Sequence, residues 1–475
     1  MKYQSAWRRA LRFPRNERGA VLIYVTLLMP ILVGFALLAV DAARLQNLQT
    51  SLQKGADALA LAGAAELDRK PTAIERADAA IANLVANKHK FSTVGLATIA
   101  VASKRYLSSL PPSDASAVGS AFTTTDPTLA RFVEVTVTTQ TLNTIFPASL
   151  LGGTNTATTN ARAIAGFDAA VCQLTPMFIC NPYEGTGTSL FDAIADPALR
   201  RRQIKLQSGG GGTAQYFPGN YGWLDSPTLG SGANALRDAL AMVRPPACFV
   251  QNGVSQKTGN ISNADDAING RFDLWSGPFN NQNNNSLYRP SQNVRKGYVP
   301  GGGAKGACNP SASSPNTNKL GRDSAFPYAG GRMGNGTWDF NSYWASNFGG
   351  TPPNGWSNAN LPSRYDVYRY EVDNNLTNTA AVAGNAIGEK GAPACYSGGG
   401  VSDNPDRRVL YAAIIDCSDL DVHGNTGGPF LVRAFGKFFI TEPVTGGDIY
   451  SEVFGLVEPG SVANDIARDI VQLYR

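Results

Sequence analysis

The chain has 475 residues, with 41 Lys and Arg against 36 Asp and Glu, and only 16% charged residues beside 43% hydrophobic ones. Residues 1–19 carry Lys2, Arg8, Arg9, Arg12, Arg15 and Arg18 against Glu17 alone; six minus one is the whole formal charge of +5, so residues 20–475 are net zero. A bulk without net positive charge gives no footing for nucleic acid, and no nucleic-acid partner is expected.

The length allows about two to four domains. Fifty glycines predict long loop segments, and the pattern along the chain predicts an α+β protein. Its expected parts are a basic tail (1–19), a single transmembrane helix (20–40), a helix-plus-sheet region (41–171) and a mixed α/β region with cysteines (172–275). A Gly/Asn/aromatic-rich loop region (276–363) and a β-rich C-terminal region with a closing helix (364–475) follow.

Ala20 to Val40 contains no charged residue. As a helix that run spans roughly 31 Å at 1.5 Å per residue, the thickness of a bilayer's hydrocarbon core. The cations before it and the balanced Asp41 and Arg44 after it make Arg8, Arg9, Arg12, Arg15 and Arg18 the topology determinants, with the N-terminus cytoplasmic and the rest outside. Pro30 lies mid-span, where proline is tolerated. A cleaved signal has an apolar core of about 7–15 residues, shorter than this one. Cleavage at Val40-Asp41-Ala42 would place an acid inside the site, and no cysteine lies near the N-terminus to carry a lipid.

Residues 42–68 continue the helix, with Leu45, Leu48, Leu52, Ala56, Leu59 and Gly63 on one face for the chain's own domain or for a partner helix, including a second copy. Pro71 ends it, and 72–88 reads as a second, amphipathic helix. The β-branched stretches 95–107, 130–142 and 154–167 read as strands, the second alternating strictly over FVEVTVT, with a short helical connection at NTIFPASLLGG.

In 276–363, Asn, Gly, Ser and Pro dominate, punctuated by Tyr288, Tyr298, Tyr328, Trp338, Trp344 and Trp356. Such composition cannot build a core alone, so loops pinned by aromatics are expected; the sharper reading makes the rings a stacking platform for glycan. Residues 407–417, 429–443 and 449–457 read as strands and 461–474 as a closing amphipathic helix.

The motifs that could carry chemistry fall short of their requirements. IIDCSDL (414–420) places Leu420 where an Asp-x-Ser-x-Ser metal site needs Ser. DLDVHG (419–424) begins like a calcium loop, but His423 takes a ligand place and Phe430 stands where the bidentate Glu belongs. GGGAKGAC (301–308) lacks the Gly-Lys-Ser/Thr of a phosphate loop. The two histidines, His89 at a predicted helix end and His423 in a turn, have no nucleophile motif nearby, and Asp265-Asp266 reads as a cap or solvated turn. No cofactor, metal or enzymatic activity is expected.

RGAVLIYVTLLMPILVGFALLAVDAARL, followed by LQKGADALALAGAAEL, resembles the N-terminal segment of TadG-like proteins of the bacterial tight-adherence (Flp pilus) assembly machinery. Arg18, Gly19, Pro30, Asp41, Arg44, Ala56, Asp57 and the stretch Ala58–Ala65 carry the match, and CQLTPMFICNPYEG (172–185) is similar to an element of the longer family members. The resemblance implies a bitopic inner-membrane protein with a periplasmic bulk, and other tight-adherence proteins as partners. Tyr24 holds the place where related pseudopilins, cut after a Gly, carry Glu, which disfavours release as a minor pilin or adhesin. Cys172, Cys180, Cys248, Cys308, Cys395 and Cys417 all follow the apolar run, an even number suited to an oxidising compartment and up to three disulfides. A Cys172–Cys180 bond would close a small loop worth ~2–3 kcal/mol. Cys395 and Cys417 are candidates to pair with each other or with Cys248 and Cys308.

Overall fold

The computed structural model describes residues 17–84, 88–90, 96–111, 113, 116–226, 229, 232–250, 253–259, 261–297, 318–382, 389–400, 407–457 and 467–474. The chain is α+β and divides into two units, Met1–Phe167 with Val471–Arg475, and Asp168–Ile470.

The first unit is organised by one helix, α1 (Glu17–Ala64), 48 residues long with Pro30 inside it. Val21 to Val40 is exposed on nearly every side chain, whereas Leu48, Leu52, Ala56, Leu59, Ala60 and Ala64 are buried. The sequence periodicity therefore finds its partner within the chain. That face lies against α2 (Ala73–Leu84), which buries Ala73, Ala77 and Ile81 at four-residue steps, and against the sheet behind it. A helix-mediated contact with a second copy would have to use some other face.

The strands of this unit are β1 (Lys88–Lys90), β2 (Leu96–Thr98), β3 (Val101–Leu107), β4 (Phe132–Val137), β5 (Gln140–Asn143), β6 (Thr156–Thr159) and β7 (Arg162–Cys172). β4 is flanked antiparallel by β3 and by the first half of β7. Strict alternation along β4 predicts one wet face, yet both faces are covered. Val133, Val135 and Val137 form the face under the helix, while Glu134, 2% exposed, is paired by Arg105 and Arg162 from the neighbouring strands. Beside it Phe132, Leu107, Val118 and Ile164 make a small core. His89 lies in a strand paired with β2, not at a helix end, since α2 stops at Leu84.

Within the predicted closing helix (461–474), residues 467–473 form a strand, and 461–466 lie outside the described residues. β16 (Ala467–Leu473) pairs with β7, and the Tyr474 ring stands edge-on to Phe132 at 5.0 Å. Its apolar residues fit a helical period, but Ile470 and Val471 also favour extended chain, and pairing along β7 satisfies the backbone of both strands.

The second unit holds β8 (Met177–Cys180), β9 (Gln203–Ser208), β10 (Asn220–Asp225), β11 (Cys248–Val250), β12 (Ser255–Lys257), β13 (Val409–Ile415), β14 (Ala434–Ile440) and β15 (Ile449–Leu456). Six of them, in the order β10-β8-β13-β14-β15-β9, close into a barrel-like ring through a parallel β9–β10 pair, with β12 added beside β10. Alternate residues from every ring strand, among them Ile179, Leu206, Tyr221, Ile414, Phe438 and Val453, share one core with α3 (Leu190–Ala195), α5 (Ala233–Ala241) and α6 (Ala264–Asn269). α4 (Pro197–Arg200) follows α3 directly, capped by Asp196.

The aromatic-rich stretch contributes core instead of a platform. Trp338, Phe340, Tyr343 and Trp344, on and just before α7 (Phe340–Asn347), pack with Val367 and Tyr368 of α8 (Arg364–Asp373) and with Val409 and Phe439. Among the rings singled out in the sequence, Trp338, Trp344 and Tyr288 are buried, Trp356 is half-buried, Tyr328 is 40% exposed, and Tyr298 lies outside the described residues. The buried rings have no face to offer a sugar.

Irregular chain leaves carbonyls without ladder partners, and arginine fills that need. Arg271, Arg295, Arg364, Arg407 and Arg408 are all at most 3% exposed. Arg408 donates to the carbonyls of Ile440 (2.9 Å), Thr441 (2.8 Å) and Asn293 (3.4 Å), and burial pushes its pKa down to about 10. Arg271 donates to those of Leu240, Arg407 and Val409. Each guanidinium brings five donors in a rigid fork, so one side chain ties several loop segments.

The disulfides differ from the spacing-based expectation. Cys172 bonds Cys248 and Cys180 bonds Cys417. Cys172 closes β7 directly opposite Cys248 of β11, whereas Cys180 ends β8, whose parallel neighbour β13 leads into Cys417. The turn between β7 and β8 thus sends the two cysteines of the 172–180 segment to different strand neighbours. Cys395 is disulfide-bonded rather than joined to Cys417, and Cys308 lies outside the described residues.

Two measurements probe these packings. A Cβ on Gly63 would sit 2.7 Å from Ile81 and 3.3 Å from Val133, so Gly63→Leu should destabilise the first unit by about 1–3 kcal/mol. Adding Ile81→Ala should restore part of the loss in thermal melts. Arg364 bonds Glu452 at 2.6 Å and Asp323 at 2.7 Å, all three fully buried or nearly so. Arg364→Met strands two buried carboxylates and should cost about 3–5 kcal/mol in denaturant unfolding, with partial recovery on adding Glu452→Gln.

Candidate functional site at the exit of the N-terminal helix

Where α1 leaves its apolar run, Asp41 is only 7% exposed. Its partners come from the hairpin β5–β6. The ladder of that hairpin ends at Asn143 opposite Thr156, and Thr144 N–H still donates across to the Asn155 carbonyl at 2.9 Å. Beyond this point the chain turns toward Pro147, and the next two amides have no strand to pair with. Asp41 accepts both: Ile145 N–H at 2.8 Å from Oδ2 and 3.0 Å from Oδ1, and Phe146 N–H at 2.7 Å from Oδ2.

Arg44, one turn on, completes the joint. Its guanidinium donates to Asp41 Oδ1 at 3.1 Å and to the Asn143 carbonyl at 3.2 Å. The two backbone amides, Ile145 first, hold the Asp41 carboxyl below the usual carboxylate range, and Arg44 adds to the effect. Such charge-assisted bonds are roughly twice as strong as neutral ones. The arrangement fastens a helix end to a sheet hairpin.

Between Val21 and Val40, Gly34 and Leu37 alone are half-buried and the rest are exposed. With Asp41 and Arg44 they form one stripe at three- and four-residue steps. A Cβ on Gly34 would meet the Phe146 ring at 3.5 Å. The sequence marks Asp41 and Arg44 as the charges that end an apolar run and as part of the family resemblance. It does not mark Gly34, Ile145 and Phe146, because a contact about a hundred residues apart leaves no local signal beyond the N-T-I-F-P turn.

The other residues singled out for chemistry are held in structural roles. Asp416 accepts from Asn181 Nδ2 at 2.7 Å. His423 Nδ1 meets the Asp421 carbonyl at 2.8 Å inside the 417–424 turn, and Glu184 takes the Asp419 N–H at 2.9 Å. Asp265 accepts from Gly447 N–H at 2.9 Å, with burial pushing its carboxyl up. Asp266 accepts from the Ser276 hydroxyl. Among the described residues no group of three or more His, Cys, Asp and Glu could hold a metal ion. The glycine-rich 301–308 loop, Arg8, Arg9, Arg12 and Arg15 lie outside the described residues, and Arg18 lies on α1.

The joint gives a direct measurement. Asp41→Ala removes the acceptor for two amides, so Ile145 and Phe146 should exchange hydrogen markedly faster while β4 amides stay protected. Because folding lowers the Asp41 pKa, its share of the hold is complete above the ordinary carboxylate range and fades as pH falls through the lowered folded value. Protection of the two amides in the wild type should therefore outlast the pH at which a free aspartate protonates, about 3.9.

α1 is the one described helix long and apolar enough to cross a membrane, and its apolar run is not buried. No curated protein and no solved structure matches the chain. Residues 19–66, which take in the apolar run, the Asp41 exit and the buried face of α1, match the family model "Putative Flp pilus-assembly TadE/G-like", so over this segment the chain is similar to that family.

Proposed function

We propose that the protein is a non-enzymatic, membrane-anchored component of Flp pilus assembly, held in the bacterial inner membrane by residues 20–40. The match over residues 19–66 carries the reading. The basic tail lies in the cytoplasm by the positive-inside rule, and residues 41–475 lie in the periplasm, an oxidising compartment suited to the Cys172–Cys248 and Cys180–Cys417 bonds. Other tight-adherence assembly proteins are its partners.

Two features support a permanent anchor over a released subunit. Tyr24 stands where pilin-type processing wants Glu. The helix also runs unbroken through Val40-Asp41-Ala42, and Asp41 is engaged by the hairpin, so cutting there would sever the joint.

Mass spectrometry of the N-terminus in fractionated cells is the test. An N-terminus at Met1 or Lys2 in the inner-membrane fraction is expected, together with loss of surface Flp pili on deletion of the gene and recovery with the full chain. A chain starting at Ala20 in sheared surface material would reject the anchor and favour a minor pilin or adhesin.

A further inference from the structure

We propose that the tip of the β5–β6 hairpin, residues 144–153, is a second membrane contact that enters the outer leaflet beside the α1 span. The inference rests on the anchor reading above and adds to it a lipid-facing surface remote in sequence from the span.

Depth carries the inference. Phe146 packs against Gly34, which lies six residues inside the apolar run from Val40. At 1.5 Å per residue that is about 9 Å. If Ala20–Val40 fills the hydrocarbon core, the Phe146 ring lies below the headgroups, while its amide is held at Asp41 just past the run, so the tip that bears the ring sits in the outer edge of the leaflet.

The composition of the hairpin suits that place. From Val135 to Ala161 there is no Asp, Glu, Lys, Arg or His. Ile145 is 52% and Leu151 80% exposed.

The backbone is prepared as well. Unpaired amides are costly in lipid, and this tip pairs nearly all of its own. Thr144 N–H donates to the Asn155 carbonyl, Ala148 to Phe146, Gly152 to Ser149 and Gly153 to Ala148. Ser149 N–H donates to Asn155 Oδ1 at 2.9 Å, Asp41 takes the amides of Ile145 and Phe146, and Pro147 has none to pair. A water-facing loop has no need of such closure, because water would serve the same amides.

The test uses the full-length protein, disulfides intact, in nanodiscs of phosphatidylethanolamine and phosphatidylglycerol. Single variants Leu151→Cys, Leu32→Cys and Thr125→Cys are labelled with an environment-sensitive fluorophore and challenged with doxyl-labelled lipid. Leu32 reports the span itself and Thr125 an exposed site elsewhere on the first unit. Expected is a blue-shifted emission at Leu151 that is quenched by doxyl lipid, as at Leu32 and unlike Thr125. Ile145→Cys supplies a second tip probe should Leu151→Cys fold poorly. If Leu32 is quenched while both tip probes behave like Thr125, the anchor stands and the membrane tip is wrong. A tip that is blue-shifted but untouched by doxyl lipid would assign it to a second copy of this chain and overturn the lipid contact. Absence of quenching at Leu32 would remove the anchor and the tip together.

Discussion

The Asp41 carboxylate is the point on which the first unit turns. A single helix must satisfy two opposite demands, an apolar surface on every side for about twenty residues and then one buried face against a sheet. The change happens within one turn, and Asp41 sits in that turn. By accepting two amides that the β5–β6 hairpin cannot pair for itself, it ties the helix register to the sheet. A neutral side chain there would leave both amides without a partner next to an apolar surface, where water is least able to replace one.

The second unit meets a different constraint by a related device. Its sheet supplies regular pairing for only part of the chain, and long Asn- and Gly-rich segments run over it with carbonyls exposed to the core. Buried arginines answer those carbonyls: Arg408 reaches the segment after β14, Arg407 the carbonyls near Met242 and Arg289, and Arg295 those of Thr379 and Glu389. A cation buried among backbone oxygens is costly unless its donors are used, which is why nearly every guanidinium nitrogen here has a partner. The same economy explains how a stretch too polar to build a core becomes part of one. Its tryptophans and tyrosines supply the apolar area, and arginine absorbs the polar remainder.

Much of this was legible in the sequence, and the failures are informative. The apolar run, the helix continuing past it, and the strands at 132–137, 409–415, 434–440 and 449–456 are all marked by periodicity or β-branched composition, whereas the helix ends at Ala64, ahead of the expected stop at Pro71. The stretch 461–474 reads as a helix, yet 467–473 is a strand, because its amphipathic period suits either state and only pairing with β7 decides between them. Cysteine spacing suggested a short 172–180 loop, but bonding follows which strands become neighbours, and that is a property of topology. The aromatic residues of 276–363 were visible; that several of them face inward depended on α8 and β14, distant in sequence, being there to receive them.

The geometry of the exit also bears on how such an anchor works. In many tethered proteins a flexible linker separates the span from the folded part, and the two move independently. Here none intervenes. The helix that crosses Val40–Asp41 is the same helix whose Leu52–Ala64 face is buried against the sheet, and the hairpin grips it from the side at Asp41 and Arg44. Bending at the exit would have to break helical hydrogen bonds and the carboxylate contacts at once. A load applied to the sheet therefore passes into the span as rotation or tilt of one rigid rod. In the proposed role of an anchored pilus-assembly component, that continuity would fix the sheet's height and orientation relative to the bilayer, which a flexible tether would leave free.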